Sequence, residues 1–148
     1  MGKDGMKKEF NNFNNIIFEC EYLNCKKNGN GKEYYTNGQL LFEGEYLNGK
    51  RWNGKGYNKN GVIEFEIKDG KGKVKEYNYY YRLEFEGEYL NGERNGKGKE
   101  YNNLCELLFE GEYLNGKRNG KGKEYNYDGK IEFIGEYLNG KRWNEKGI

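Results

Sequence analysis

The chain of 148 residues has no alanine, serine, proline or histidine, a single threonine (Thr36) and a single glutamine (Gln39). Without serine and histidine, neither a Ser-His-Asp nor a Cys-His nucleophilic arrangement can be assembled. The three cysteines, Cys20, Cys25 and Cys105, form no CxxC pair and have no histidine beside them. That excludes a zinc ligand set and a paired disulfide framework, and the thiols read as the reduced cysteines of a cytosolic protein. No apolar run approaches the roughly 18 residues that a spanning helix needs. The opening "MGKDGMKKEF" lacks the apolar segment of a secretory signal, and Met6 stands where a myristoylation signal needs Ser or Thr. Leu, Ile, Val and Phe supply only 28 of the 148 residues, which excludes a thick aliphatic core. What is abundant instead is Gly, Asn, Lys, Glu and fifteen Tyr, at a net charge of +2. Large half-apolar rings on a nearly neutral chain suit a thin structure that buries aromatics against backbone.

The sequence repeats. Phenylalanines that open a unit stand at Phe18, Phe42, Phe65, Phe85, Phe109 and Phe133, at spacings of 24, 23, 20, 24 and 24. A fixed period of this size marks an array in which each unit stacks on its neighbours. Residues 1–148 therefore read as a single repeat array, with partial units at both ends. The third unit, "FEIKDGKGKVKEYNYYYRLE", lacks the "GEYLN" segment and is four residues short.

Each unit reads as β-hairpins. Asn115-Gly116 is a type I′ turn signal, because both central residues of that turn need positive φ. Counting outward from a two-residue turn sets Tyr113 opposite Arg118, Glu110 opposite Lys121 and Phe109 opposite Gly122. Alternation then gives one face carrying Phe109, Gly111, Tyr113, Gly120 and Gly122, and another carrying Glu110, Glu112 and Lys121. The Phe109 ring covers Gly122, Glu110 pairs with Lys121, and Tyr113 meets the Arg118 cation. Asp128-Gly129, treated as a second type I′ turn, sets Glu124 opposite Phe133, in agreement with the first count. Further turn dipeptides at Asn37-Gly38, Asn48-Gly49, Asn60-Gly61, Asp69-Gly70, Asn91-Gly92 and Asn139-Gly140 bring the expected total to about a dozen strands. The expected fold class is all-β: an elongated, twisted, continuous antiparallel meander of stacked hairpins. Trp52 and Trp143, in "KRWN", look like one-residue insertions that form bulges.

No chemistry is visible in this pattern. The glutamates are taken up by cross-strand lysines, and the "GKGK" runs lack the GxxxxGK[ST] spacing and following helix of a phosphate loop. The reading is therefore non-enzymatic, with no catalytic residue, metal or cofactor. Two surfaces remain. An aromatic face of Phe42, Tyr46, Phe85, Tyr89, Phe109, Tyr113, Phe133 and Tyr137 is in large part the core, and where it stays exposed it is a candidate partner-binding stripe. A candidate basic edge of Lys50, Arg51, Arg94, Lys117, Arg118, Lys141 and Arg142 follows the first turn of successive units. It can attract anionic headgroups, set against the plainer reading of solvated turn charges.

The unit resembles the MORN repeat (membrane occupation and recognition nexus), on Phe109, Gly111, Tyr113, Gly116, Gly120 and Gly122. The stretch "EYYTNGQLLFEGEYLNGKR" is also similar to the variant MORN repeats of bacterial antitoxin-like proteins. Departures are Cys20 and Cys25 in place of glycines, the shortened third unit, and Glu145 in place of a glycine. The resemblance implies a scaffold or protein-interaction module with protein partners and no nucleic acid. The alternatives are a peripheral adaptor that binds anionic lipid and an antitoxin-like capping protein. The implied location is cytoplasmic, at the cytoskeleton or the inner membrane surface. Because the first and last units are partial, the two sheet ends are expected to be open edges, through which copies associate end to end as a homo-oligomer.

Overall fold

The computed structural model describes residues 3–146, all of whose regular structure is β-strand. Thirteen strands follow in order: β1 (Lys3–Phe10), β2 (Ile16–Leu23), β3 (Lys26–Tyr34), β4 (Leu40–Leu47), β5 (Lys50–Tyr57), β6 (Ile63–Ile67), β7 (Gly72–Tyr77), β8 (Leu83–Leu90), β9 (Glu93–Tyr101), β10 (Leu107–Leu114), β11 (Lys117–Tyr125), β12 (Ile131–Leu138) and β13 (Lys141–Glu145). Each pairs antiparallel with its sequence neighbour, as a meander requires, with one exception. Strands β1–β6 form one sheet and β7–β13 another, so the expected continuous meander is divided in two.

The reason lies in a row of glycines. In the regular hairpins Gly44 crosses Gly54, Gly87 crosses Gly98 and Gly111 crosses Gly122. A Cβ built on Gly111 would lie 2.7 Å from the Cα of Gly122, so the strands approach too closely for side chains. In the short third unit the equivalent positions hold Ile67, opposite Gly54, and Val74, opposite Gly87. Two branched side chains cannot share that gap. The strands part beyond the isolated Lys68–Lys71 bridge, and Ile67 and Val74 fill the opening as buried core.

Two kinds of turn alternate. Asn48-Gly49, Asp69-Gly70, Asn91-Gly92, Asn115-Gly116 and Asn139-Gly140 have positive φ at both residues, as type I′ requires. Asn126 to Gly129 does not: only Gly129 is positive, and Asn126 C=O accepts from the Gly129 amide. That is a type I turn closed by a residue in the left-handed region, so the type I′ reading of Asp128-Gly129 is corrected, although Glu124 does pair with Phe133.

The outward count from Asn115-Gly116 holds for Leu114–Lys117 and Tyr113–Arg118, then fails. Gly111 pairs with Gly122, Glu110 with Lys123 and Phe109 with Glu124. Three residues of β11, Asn119, Gly120 and Lys121, oppose only Glu112 on β10. Gly120 makes the bulge at φ +102, and Glu112 Oε1 accepts the Lys121 amide at 2.8 Å. A slip of two residues preserves the faces, which is why the Phe109 ring still covers Gly122, from the diagonal. In β5 and β13 the bulge holds one extra residue, Trp52 or Trp143, where that of β11 holds two, so the bulge segment is one residue shorter than in β11, not longer.

The first turns are also tied to each other. The amides of Gly49, Gly70, Gly92, Gly116 and Gly140 donate to the carbonyls of Lys27, Trp52, Gly70, Arg94 and Arg118. This ladder crosses the sheet break without interruption. Further contacts span the break: Tyr35 stacks on Tyr81 at 4.1 Å, the Thr36 amide donates to the Tyr79 carbonyl, and Lys50 pairs with Glu93 at 2.6 Å.

A Cβ on Gly122 would lie 2.6 Å from Phe109 Cε2 and 2.9 Å from Tyr137 Cε2. Gly122→Val is accordingly expected to lose about 1–3 kcal/mol by overpacking, although valine is the better strand former. Urea denaturation checks this, and a neutral or stabilised variant would contradict the packing.

Candidate interaction surfaces

The side of the sheet that carries the phenylalanines is closed by a polar lid. Phe42, Phe85 and Phe109 have no exposed surface, and Tyr46, Tyr113, Phe133 and Tyr137 are buried, while Tyr89 is half-buried. Phe42, Phe85, Phe109 and Phe133 each meet at least one tyrosine edge-on, and Phe109 lies 5.6 Å from Tyr113 and 5.1 Å from Tyr137. Arginine guanidinium groups cover the rings, Arg51 over Phe42 at 4.4 Å, Arg94 over Phe85 at 4.1 Å, Arg118 over Phe109 at 4.1 Å and Arg142 over Phe133 at 4.7 Å. The expected Tyr113–Arg118 cation–π contact is thus replaced by one to the phenylalanine. The aromatic face is core except at the half-buried Tyr89, and what lies above it is arginine and glutamate.

The same arginines account for the expected basic edge. Arg51 donates to Glu33 at 2.7 Å, Arg94 to Glu76 at 2.9 Å, and Arg142 to Glu124 at 2.5 Å. Arg118 bridges Glu100 at 2.7 Å and Glu124 at 3.0 Å. Lys50 is held by Glu93. Of the seven basic residues, Lys117 and Lys141 alone make no ion pair among the described residues. They alternate along the turn edge with half-exposed leucines, Leu90, Leu114 and Leu138.

The glutamates belong less to lysine than to tyrosine. Beneath the arginines, Tyr89, Tyr113 and Tyr137 hydroxyls donate to Glu76, Glu100 and Glu124 at 2.6, 2.5 and 2.6 Å, and Tyr46 donates to Glu33. On the opposite face Tyr34, Tyr57, Tyr77 and Tyr125 donate to Glu19, Glu43, Glu64 and Glu110 at 2.7, 2.7, 2.5 and 2.5 Å, and Tyr101 to Glu86. Two tyrosine–glutamate ladders therefore run along the array, one on each face. The sequence signal for them was a Glu recurring 13 to 15 residues before a Tyr.

That opposite face carries the open groove, of 1120 Å³. Its floor is the backbone of Gly87, Gly98, Gly111, Gly122 and Gly135, and its walls are lysines and glutamates of β7–β12. A smaller polar cleft of 410 Å³ lies where the loop Asn78–Tyr79 meets Arg51 and Tyr46 at the sheet break. Among the described residues no group of three or more metal-ligating side chains stands together, and no helix is long and apolar enough to cross a membrane.

An all-β array of hairpins with an aromatic–glycine core is the build of a repeat module that presents surface. The model of the MORN repeat matches three segments of the chain, residues 25–40, 85–103 and 109–131. No curated protein matches it. MORN repeats are generally protein- or membrane-interaction modules and generally non-catalytic.

Burial, together with the hydrogen bond to Glu19, pushes the Tyr34 hydroxyl up to about 12, and Tyr101 likewise beside Glu86. The hydrogen bond to Glu110, with some burial, does the same to Tyr125. Burial alone would raise Glu33, Glu100 and Glu124. Their arginine and tyrosine partners outweigh it and hold all three below the ordinary range. A raised tyrosine stabilises the fold fully below its unfolded value of about 10 and ceases to as pH rises through the folded value. A lowered glutamate contributes above its unfolded value of about 4.3 and ceases to as pH falls through the folded one. With no histidine in the chain, the urea midpoint is expected to stay level from about pH 5.5 to 9.5 and to fall on both sides. In the folded protein most tyrosinate absorbance near 295 nm should appear only beyond about pH 11. Full tyrosinate absorbance at pH 10 in a folded sample would contradict the two ladders.

Proposed function

We propose that this chain is a non-enzymatic interaction scaffold: one array of units beginning near residues 18, 42, 65, 85, 109 and 133, with partial units at both ends. Its binding surface is the lysine–glutamate groove of β7–β12. The observation that carries this is the division of labour between faces. The candidate aromatic stripe and the arginines of the candidate basic edge are consumed by the core and its lid. The groove face keeps charged side chains at the surface over an open glycine floor. This use of the groove needs no cofactor, and the reading assigns no catalytic residue.

Self-association through the sheet ends is a second part of the proposal, since the outer edges of β1 and β13 have no partner strand among the described residues. Anionic lipid is the second reading, favoured by the half-exposed leucines that alternate with Lys117 and Lys141. It has weakened, because the four arginines expected to carry it are paired with glutamates.

Affinity capture from the native source with the wild-type chain and with Lys99→Glu/Lys121→Glu tests the main reading. Proteins recovered by the wild type are expected to be lost with the variant. Recovery of the same proteins by both would overturn the groove as the binding surface. Co-sedimentation with vesicles of anionic and of neutral lipid decides the second reading. Binding to anionic vesicles that is lost in the Leu114→Asn/Leu138→Asn variant would favour it, and no binding would remove it.

A further inference from the structure

The groove face is striped. Lys73 and Lys75 project from β7, Glu86 and Glu88 from β8, Lys97 and Lys99 from β9, Glu110 and Glu112 from β10, Lys121 and Lys123 from β11, and Glu136 with Ile134 from β12. Glu136 faces Lys121 on the neighbouring strand. On β7–β11 both residues of each pair share a sign, Glu136 is the one charge of the β12 pair, and the sign changes at every strand. With strands about 4.8 Å apart, the pattern repeats every 9.6 Å or so. A partner that satisfies it must carry charge at the same period, and this chain itself does.

We infer that the striped face of β7–β12 pairs with the same face of a second copy, about a two-fold axis parallel to the strands and between β9 and β10. The inference rests on the reading of this face as an interaction surface and names its occupant. That axis sets β9 against the partner's β10, β8 against the partner's β11, and β7 against the partner's β12. Every confrontation between charged stripes is then of opposite sign. A two-fold axis along the array would instead set each strand against itself, like charge on like, which costs several kcal/mol. The charge order therefore requires the axis to fall between two strands, and of those positions the one between β9 and β10 engages all six strands in a closed dimer.

Two further observations support it. The lysines at the centre, Lys97, Lys99, Lys121 and Lys123, make no ion pair within the fold, among the described residues, although glutamates flank them on both sides. The glutamates are already fixed: Glu86 and Glu110 by the Tyr101 and Tyr125 hydroxyls, Glu88 and Glu112 by the amides of Lys97 and Lys121. Fixed anions beside unengaged cations reduce the ordering cost of association. The first sheet lacks the complete pattern. One of its rows alternates, Lys8, Glu19, Lys32, Glu43, Lys55 and Glu66. The other has Met6, Asn30 and Asn53 where lysines would be needed opposite Glu21 and Glu45.

The test is a charge-swap set of the full chain in sedimentation velocity at low and high salt, with thermal melts to confirm folding. The wild type is expected to dimerise at low salt, and to dissociate as salt rises. Lys97→Glu/Lys99→Glu and Glu110→Lys/Glu112→Lys are each expected to weaken self-association at least about tenfold. An equimolar mixture should recover it, because each altered β9 then faces an altered β10 of opposite sign. Folded variants that dimerise like the wild type, or a mixture that stays monomeric, would overturn the inference. So would a wild type that is monomeric at high micromolar concentration and low salt. If that monomer still captures proteins that Lys99→Glu/Lys121→Glu loses, the binding surface stands and only its occupant is wrong. An open series of oligomers indifferent to both swaps would point to end pairing and equally overturn the dimer.

Discussion

A phenylalanine ring lying on a glycine is the contact from which the rest of this structure follows. A single-layered sheet has no second layer to bury its apolar side. Here the rings occupy the space that missing β-carbons leave: Phe109 covers both Gly111 and Gly122, and Phe85 covers both Gly87 and Gly98. Strands that cross at paired glycines come closer than side chains would allow. The need for glycine at those crossings explains why the sheet divides where Ile67 and Val74 replace it.

The lid over the rings is electrostatic and no less regular. Arginine is suited to it because its flat cation can stack on a ring while its edge donates to carboxylates. Arg118 does both, over Phe109 and between Glu100 and Glu124. Tyrosine serves on both faces because it combines an apolar ring with a hydroxyl that a glutamate can accept. A chain poor in aliphatic residues thus reaches a closed structure with no unsatisfied buried side-chain polar atom among those described.

Much of this was legible in the residues. The period, the hairpins, the type I′ turns and the covering of Gly122 by Phe109 follow from the spacing of Phe, Asn-Gly and Gly-x-Gly. Four things were not. The bulge at Gly120 adds two residues whose only signal is a glycine among many, and it moved the partner of Glu110 from Lys121 to Lys123. The destination of the arginines was hidden because a basic residue after a turn reads as solvated, whereas here it folds back across the strand. Tyr35 and Tyr81, which stack across the sheet break, come from two loops whose meeting depends on how the sheets sit. No local pattern carries that information. The groove was likewise invisible, since its walls are the residues that a strand pattern assigns to solvent.

The central claim, that rings on glycines hold a one-layered sheet together, can be read from the α-protons of the glycines. A proton at the position of the missing β-carbon of Gly122 points into the Phe109 ring. The account predicts strongly upfield α-proton resonances for Gly54, Gly98 and Gly122 in the NMR spectrum, with that of Gly122 returning toward the ordinary range in Phe109→Leu. Ordinary glycine shifts at these three positions in the folded wild-type protein would contradict it.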